Sequence, residues 1–131
     1  MARLLDMVID SHHPASLARF WAGALDGYEV AFYDADELAR LRKIGIDDPE
    51  DDPTVLIVGP EGSPRIWCQA VPEPKSGKNR VHVDLVSDQP DVELARLVEL
   101  GARVADQQSN PDLVVLHDPE GNELCLHRHP D

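Results

Sequence analysis

The chain repeats itself, and that repeat limits its fold more than any other feature. Pro14 has a counterpart in Pro90, and Leu17-Ala18-Arg19 in Leu94-Ala95-Arg96. Gly27-Tyr28-Glu29-Val30-Ala31 has one in Gly101-Ala102-Arg103-Val104-Ala105, with the offset drifting by a few residues. Each half reads as strand, helix, strand, strand, strand. Two copies of one folding unit must each bury the same helix against the same sheet face.

The elements follow from periodicity and breakers. Leu4 to Ile9 is a short apolar run that reads as a strand, ended by His13-Pro14. Ser16, or the residues just before it, can cap a helix reaching Leu25, with Leu17, Phe20, Trp21 and Ala24 on one stripe. Asp26-Gly27 ends it, and Tyr28 to Tyr33 reads as a strand. Asp36 to Lys43 fits a short helix, and Asp47 to Pro53 reads as an acidic, solvated loop. Thr54–Val58 and Arg65–Val71 pair as a hairpin around the Gly59–Pro64 turn. Pro72 to Lys78 breaks regular structure. Module one is then residues 2–72, the linker 73–79 and module two 80–129, within a single domain of 131 residues. In module two, Arg80–Val86 is a strand. Pro90–Leu100 is a helix carrying Leu94, Leu97 and Val98 on one face. Arg103–Asp106, Leu113–Leu116 and Glu123–Arg128 are strands.

Composition excludes several function classes. A net charge of −13 argues against nucleic acid and anionic membranes, both of which need a basic face. It suits solubility, or the steering of a cationic ligand. The first residues carry no apolar run of signal length and no stretch approaches a membrane span. Cys68 and Cys125 therefore read as thiols rather than a disulfide, in a cytoplasmic protein. No Gly-rich phosphate loop and no Gly-x-Ser-x-Gly elbow is present.

A helix covers only one face of its sheet, so the other face must line something. Alternation assigns the residues. Leu5, Met7 and Ile9 meet the first helix, leaving Leu4, Asp6 and Val8 on the other side. Val81, Val83 and Leu85 meet the second, leaving His82 and Asp84. Leu124 and Leu126 belong to the core, leaving Glu123, Cys125 and His127. Trp67 and Gln69 take the open face of their strand. The expectation is an α+β fold, two tandem βαβββ modules forming a curved mixed sheet around a cavity.

Lys75 to Leu85, the helix exit Leu100-Gly101-Ala102 and the closing turn Asp118-Pro119-Glu120-Gly121-Asn122-Glu123 resemble glyoxalase-like members of the vicinal oxygen chelate superfamily. The resemblance implies the glyoxalase/bleomycin-resistance fold, usually as a homodimer. It implies a divalent metal (Zn, Ni, Fe or Mn) held by inward His and Glu residues of both modules. By position, the first-strand ligand falls on Asp6, the ligand of the second module's first strand on His82, and the last-strand carboxylate on Cys125. The fourth falls near Trp67 or Gln69. Only His82 keeps a standard ligand type, so absence of a metal is the default expectation.

Each candidate has a plainer reading. His82 is a site residue or a hydrogen-bonded half-buried histidine, and Cys125 a ligand or a small buried hydrophobe. Trp67 fills space or, beside Gln69, holds a flat ligand. Asp6 and Asp84 each require a pocket or a salt bridge. His12, His13, His117, His127 and His129 read as surface residues.

Two functions remain open. One is an enzyme of lyase, isomerase or dioxygenase type, with Asp6 or His82 as the catalytic base and Trp67, Gln69, Asp84 and Cys125 around the ligand. The other is a non-catalytic protein that sequesters a cationic small molecule, as bleomycin-resistance relatives do. Glutathione-linked glyoxalase I chemistry is the activity these residues support least.

Overall fold

The computed structural model describes residues 1–129. The chain divides into two compact units, one from Met1 to Pro74 and one beginning at Lys75. Each is a four-stranded mixed sheet, with two α-helices and a 3-10 turn in the first unit and one α-helix in the second among the described residues, so the fold is α+β.

In the first unit, β1 (Asp6–Ser11) leads into α1 (Pro14–Ala24). Pro14 occupies the first turn, where its missing N–H costs nothing. The cap is His13, whose Nδ1 accepts from the Ser16 amide at 3.4 Å. Leu17, Phe20, Trp21 and Ala24 are buried on the inner stripe, with the Phe20 and Trp21 rings edge to face at 5.3 Å. Val55, Ile57, Ile66 and Cys68 supply the sheet side of this core. The remaining elements are β2 (Glu29–Val30), α2 (Ala35–Lys43), a 3-10 turn (Pro49–Asp51), β3 (Thr54–Val58) and β4 (Arg65–Ala70). Strand order is β1-β4-β3-β2. β1 runs parallel to β4 and the other pairs are antiparallel.

The second unit repeats that order with β5 (Val83–Leu85), α3 (Pro90–Leu100), β6 (Arg103–Val104), β7 (Leu113–His117) and β8 (Glu123–His127), arranged β5-β8-β7-β6. β5 runs parallel to β8, as β1 does to β4. Leu97, Val114, Leu116, Leu124 and Leu126 form its core. Gly101 closes α3 at φ +123°, a conformation that L side chains rarely adopt.

Several expectations shift. The Tyr28–Tyr33 strand shortens to two residues. Ala31 still donates to Leu56 O at 2.9 Å, but the backbone then turns to let Asp34 cap α2. The Arg80–Val86 strand shortens to three, because β5 pairs with β8 only over Val83–Leu85. Val81 is consequently 78% exposed instead of meeting a helix. Val98 sits on the flank of α3 at 45% exposure, and Leu97 alone is buried on that helix. The Asp47–Pro53 loop is not uniformly solvated: Asp52 is 2% exposed. No described helix is long and apolar enough to cross a membrane. Neither cysteine is in a disulfide.

Candidate functional site

Strand alternation builds a polar cluster on the open face of the second unit. Asp84 and Cys125 are neighbours in the parallel β5–β8 register, so their side chains leave the sheet on one side. That side is opposite Leu124 and Leu126, which belong to the core. His127 lies two residues beyond Cys125, and His82 two residues before Asp84. The chain thus brings the predicted residues His82, Asp84 and Cys125 together: a nitrogen, a carboxylate oxygen and a sulfur, all within 4.8 Å of one another.

Asp84 is the hub. His82 Nε2 lies 3.1 Å from Oδ1, and His127 Nε2 lies 3.1 Å from Oδ2. An ionised carboxylate only accepts, so His127 Nε2, which is hydrogen-bonded to it, carries the proton. The His127 hydrogen bond is the main influence holding the Asp84 carboxyl below its ordinary range. Partial desolvation opposes it, and the nearby His82 adds to it. Burial pushes the Cys125 thiol up, and the Asp84 carboxylate pushes it further. Without a metal, Cys125 is therefore a thiol rather than a thiolate nucleophile.

Beside this cluster Glu123 anchors the segment that leads into β5. Its carboxylate accepts from the Asn79 amide at 2.9 Å and lies 3.4 Å from Lys75 Nζ. Desolvation raises the Glu123 carboxyl, but the hydrogen bonds outweigh it and leave the net shift downward.

The open face of the first unit is differently built. Asp6 stands opposite Arg65 in the β1–β4 register and Asp10 stands opposite Gln69. Arg65 grips Asp6 with Nε to Oδ1 at 2.7 Å and Nη2 to Oδ2 at 2.9 Å. Trp67 Nε1 donates to the same carboxylate at 3.2 Å, and the Arg65 guanidinium lies 5.9 Å from the Trp67 ring centroid. The Arg65 hydrogen bond is the largest reason that the Asp6 carboxyl is lowered; some desolvation opposes it and Trp67 assists. Gln69 Nε2 donates to Asp10 at 2.8 Å. The carboxylate of Asp6 thus has the salt bridge its position required. On the same face Trp67 borders a cavity of about 230 Å³ against the 31–37 segment.

Sequence reasoning missed three participants. His127 reads from the sequence as a surface residue, although its alternation with Cys125 marks its face. Arg65 was not paired with Asp6, because register across 59 residues is not written locally. Asp52 reads from the sequence as part of a solvated loop, since no sequence signal separates it from its acidic neighbours.

The glyoxalase-like domain profile matches residues 6–127. The chain belongs to the glyoxalase-like domain family. Solved glyoxalase-like relatives share the fold across nearly the whole chain. The fosfomycin resistance protein FosX from Mesorhizobium loti is 14% identical, with 99% of this chain and 94% of that chain covered and a TM-score of 0.65. The trypanothione-dependent glyoxalase I of Leishmania major is 16% identical, covering 97% and 86%, at 0.60. A bleomycin-binding protein solved with bleomycin is 15% identical, covering 98% and 100%, at 0.52. No curated protein matches in sequence. At such identities the likeness carries the fold and leaves the chemistry to the residues.

The donor set of the second unit fits a divalent metal of the zinc class. Zinc accepts imidazole nitrogen, carboxylate oxygen and thiolate sulfur in one tetrahedral shell. His82, Asp84 and Cys125 offer one of each. Asp6 fits poorly, because the Arg65 guanidinium grips both of its oxygens and, unlike an imidazole, stays charged and cannot give up a proton to make way for a metal.

Proposed function

We propose that this glyoxalase-like chain binds a small organic molecule and acts on it as a lyase- or isomerase-type enzyme. The second unit would supply a non-standard metal centre of His82, Asp84 and Cys125. The observation that carries this reading is the approach of three different ligand atoms to within 4.8 Å. Such a metal, when bound, supplies Lewis-acid polarisation of a carbonyl or hydroxyl oxygen.

The chain's own residues do the rest. Asp84 orients both imidazoles, and its hydrogen bond fixes which nitrogen of His127 is protonated. His127, held by the second oxygen of Asp84, is placed to exchange a proton with a bound substrate. Asp6 keeps Arg65 and Trp67 in position on the first unit and is assigned a positioning role. A homodimer is part of the proposal, since the adjacent Leu4 and Leu5 of the first unit are 73% and 66% exposed and suit a protein surface. The absence of a disulfide fits a reducing compartment, and we place the protein in the cytoplasm.

Cobalt(II) titration of the metal-free protein tests the centre. One equivalent should bind and give thiolate-to-cobalt charge-transfer absorption. Cys125→Ser should abolish that band, and His82→Ala should weaken binding about tenfold or more. Failure to take up cobalt or zinc, or a band that survives Cys125→Ser, overturns the reading. The alternative of a non-catalytic sequestering protein draws on the aromatic cavity of the first unit.

A further inference from the structure

We propose that the cavity of the first unit is a binding site for an organic cation, such as a quaternary ammonium or alkylated amine group. This rests on the reading that the chain binds a small organic molecule, and it adds where that molecule sits and what charge it carries. The cavity measures about 230 Å³, room for a compact headgroup rather than a drug-sized body.

Its lining points to the ligand class. Phe32, Tyr33 and Trp67 border it, three of only six aromatic residues in the chain. Phe32 is 88% exposed, so no core requirement explains a phenylalanine there. Aromatic faces attract cations by their quadrupole, and trimethylated ammonium groups suit such faces because they are poorly solvated. Trp67 already has the Arg65 guanidinium near its ring, so this indole receives a cation within its own unit.

The polar lining has one sign. Asp34, Glu37 and Asp52 border the cavity, and among the described residues no lysine, arginine or histidine lines it. Each carboxylate is fixed by a local partner. Asp34 Oδ1 accepts from the Glu37 amide and caps α2, while Asp52 accepts from the Tyr33 hydroxyl and the Thr54 amide. Glu37 is paired with Arg40. Arg40 offsets the charge of Glu37 and acts more weakly on Asp52, while the hydrogen-bond partners of Asp34 and Asp52 are uncharged donors. The site therefore keeps a negative potential with side chains already in place, which is the condition for cation recognition without reorganisation. An anionic ligand would meet repulsion and find no donor side chain of opposite charge.

Choline and its uncharged isostere 3,3-dimethylbutanol separate charge from shape. Binding is read by tryptophan fluorescence and by thermal shift on the full chain. Trp21 is 4% exposed, which leaves Trp67 as the reporter. Choline should bind about tenfold or more tightly than the alcohol, as a desolvated cation–π contact implies. Two variants leave the fold in place. Asp34→Asn keeps the helix cap while removing its charge, and Phe32→Ala removes an exposed ring. Each should weaken choline about threefold to tenfold and leave the alcohol unchanged, while Cys125→Ser should alter neither. Equal binding of choline and alcohol overturns the cation assignment but leaves small-molecule binding standing. Choline binding insensitive to both variants overturns the location. No response to any probe, neutral or charged, overturns both this inference and the reading beneath it.

Discussion

Replacing Asp52 by alanine should cost the first unit about 3 kcal/mol, from two hydrogen bonds to a charged group. The carboxylate is 2% exposed. Its Oδ2 accepts from the Tyr33 hydroxyl at 2.7 Å and its Oδ1 from the Thr54 amide at 2.9 Å. Hydrogen bonds to charged groups are worth roughly 1.5–3 kcal/mol each, and alanine leaves both donors without an acceptor. The Tyr33 hydroxyl borders the cavity, so water can replace part of its loss, which places the sum near the lower bound. Asp52→Asn is the control. Its amide oxygen can still accept from Thr54 and its NH2 can donate to the phenol oxygen, for a cost of about 1 kcal/mol. Urea denaturation followed by circular dichroism gives both values, and calorimetry should show the alanine variant melting about 10 °C lower. Equal costs for the two variants, or costs below about 0.5 kcal/mol for both, would refute the claim that this buried charge holds the cavity wall.

Other perturbations test other parts of the fold. Gly59→Ala would place a Cβ 2.5 Å from Cε1 and Cζ of Tyr28, whose hydroxyl donates to Pro64 O. Overpacking of this kind costs about 1–3 kcal/mol, and the cost should vanish in a Tyr28→Ala background in a denaturation-measured double-mutant cycle. Leu97→Ala removes the one fully buried side chain of α3 and should destabilise the second unit by about 2–5 kcal/mol in the same assay. The carboxyls of Asp6 and Asp84 are lowered on folding. Their stabilisation is present above the unfolded value of about 3.9 and is lost as pH falls through the folded one. Acid unfolding should therefore begin below about pH 4, and Asp6→Asn should flatten that limb. Tyr33 behaves oppositely: burial first, then Asp52, raises its phenol. Its contribution is present below the unfolded value of about 10 and is lost above it, visible as alkaline destabilisation that Tyr33→Phe removes.

The sequence carried the periodic part of this account. Alternation placed Asp84 and Cys125 on the open face, because side-chain direction in a strand is fixed by parity alone. The repeat gave the strand and helix order of both units. What it could not carry was partnership. Asp6 needed a counter-charge, but whether Arg65 supplies it depends on how β1 and β4 slide past each other. Asp52 lies among six other residues of an acidic, Pro-containing run, and its hydrogen bonds from Tyr33 and Thr54 become visible only in the folded chain. His127 was visible as an inward residue of β8, yet its role depends on Asp84, a residue of another strand.

X-ray absorption at the zinc edge of the zinc-loaded protein tests the central claim most directly. One sulfur at about 2.3 Å with nitrogen and oxygen neighbours at about 2.0–2.1 Å is expected, the sulfur shell disappearing in Cys125→Ser. A shell of nitrogen and oxygen alone, or a sulfur shell unchanged in that variant, would contradict it.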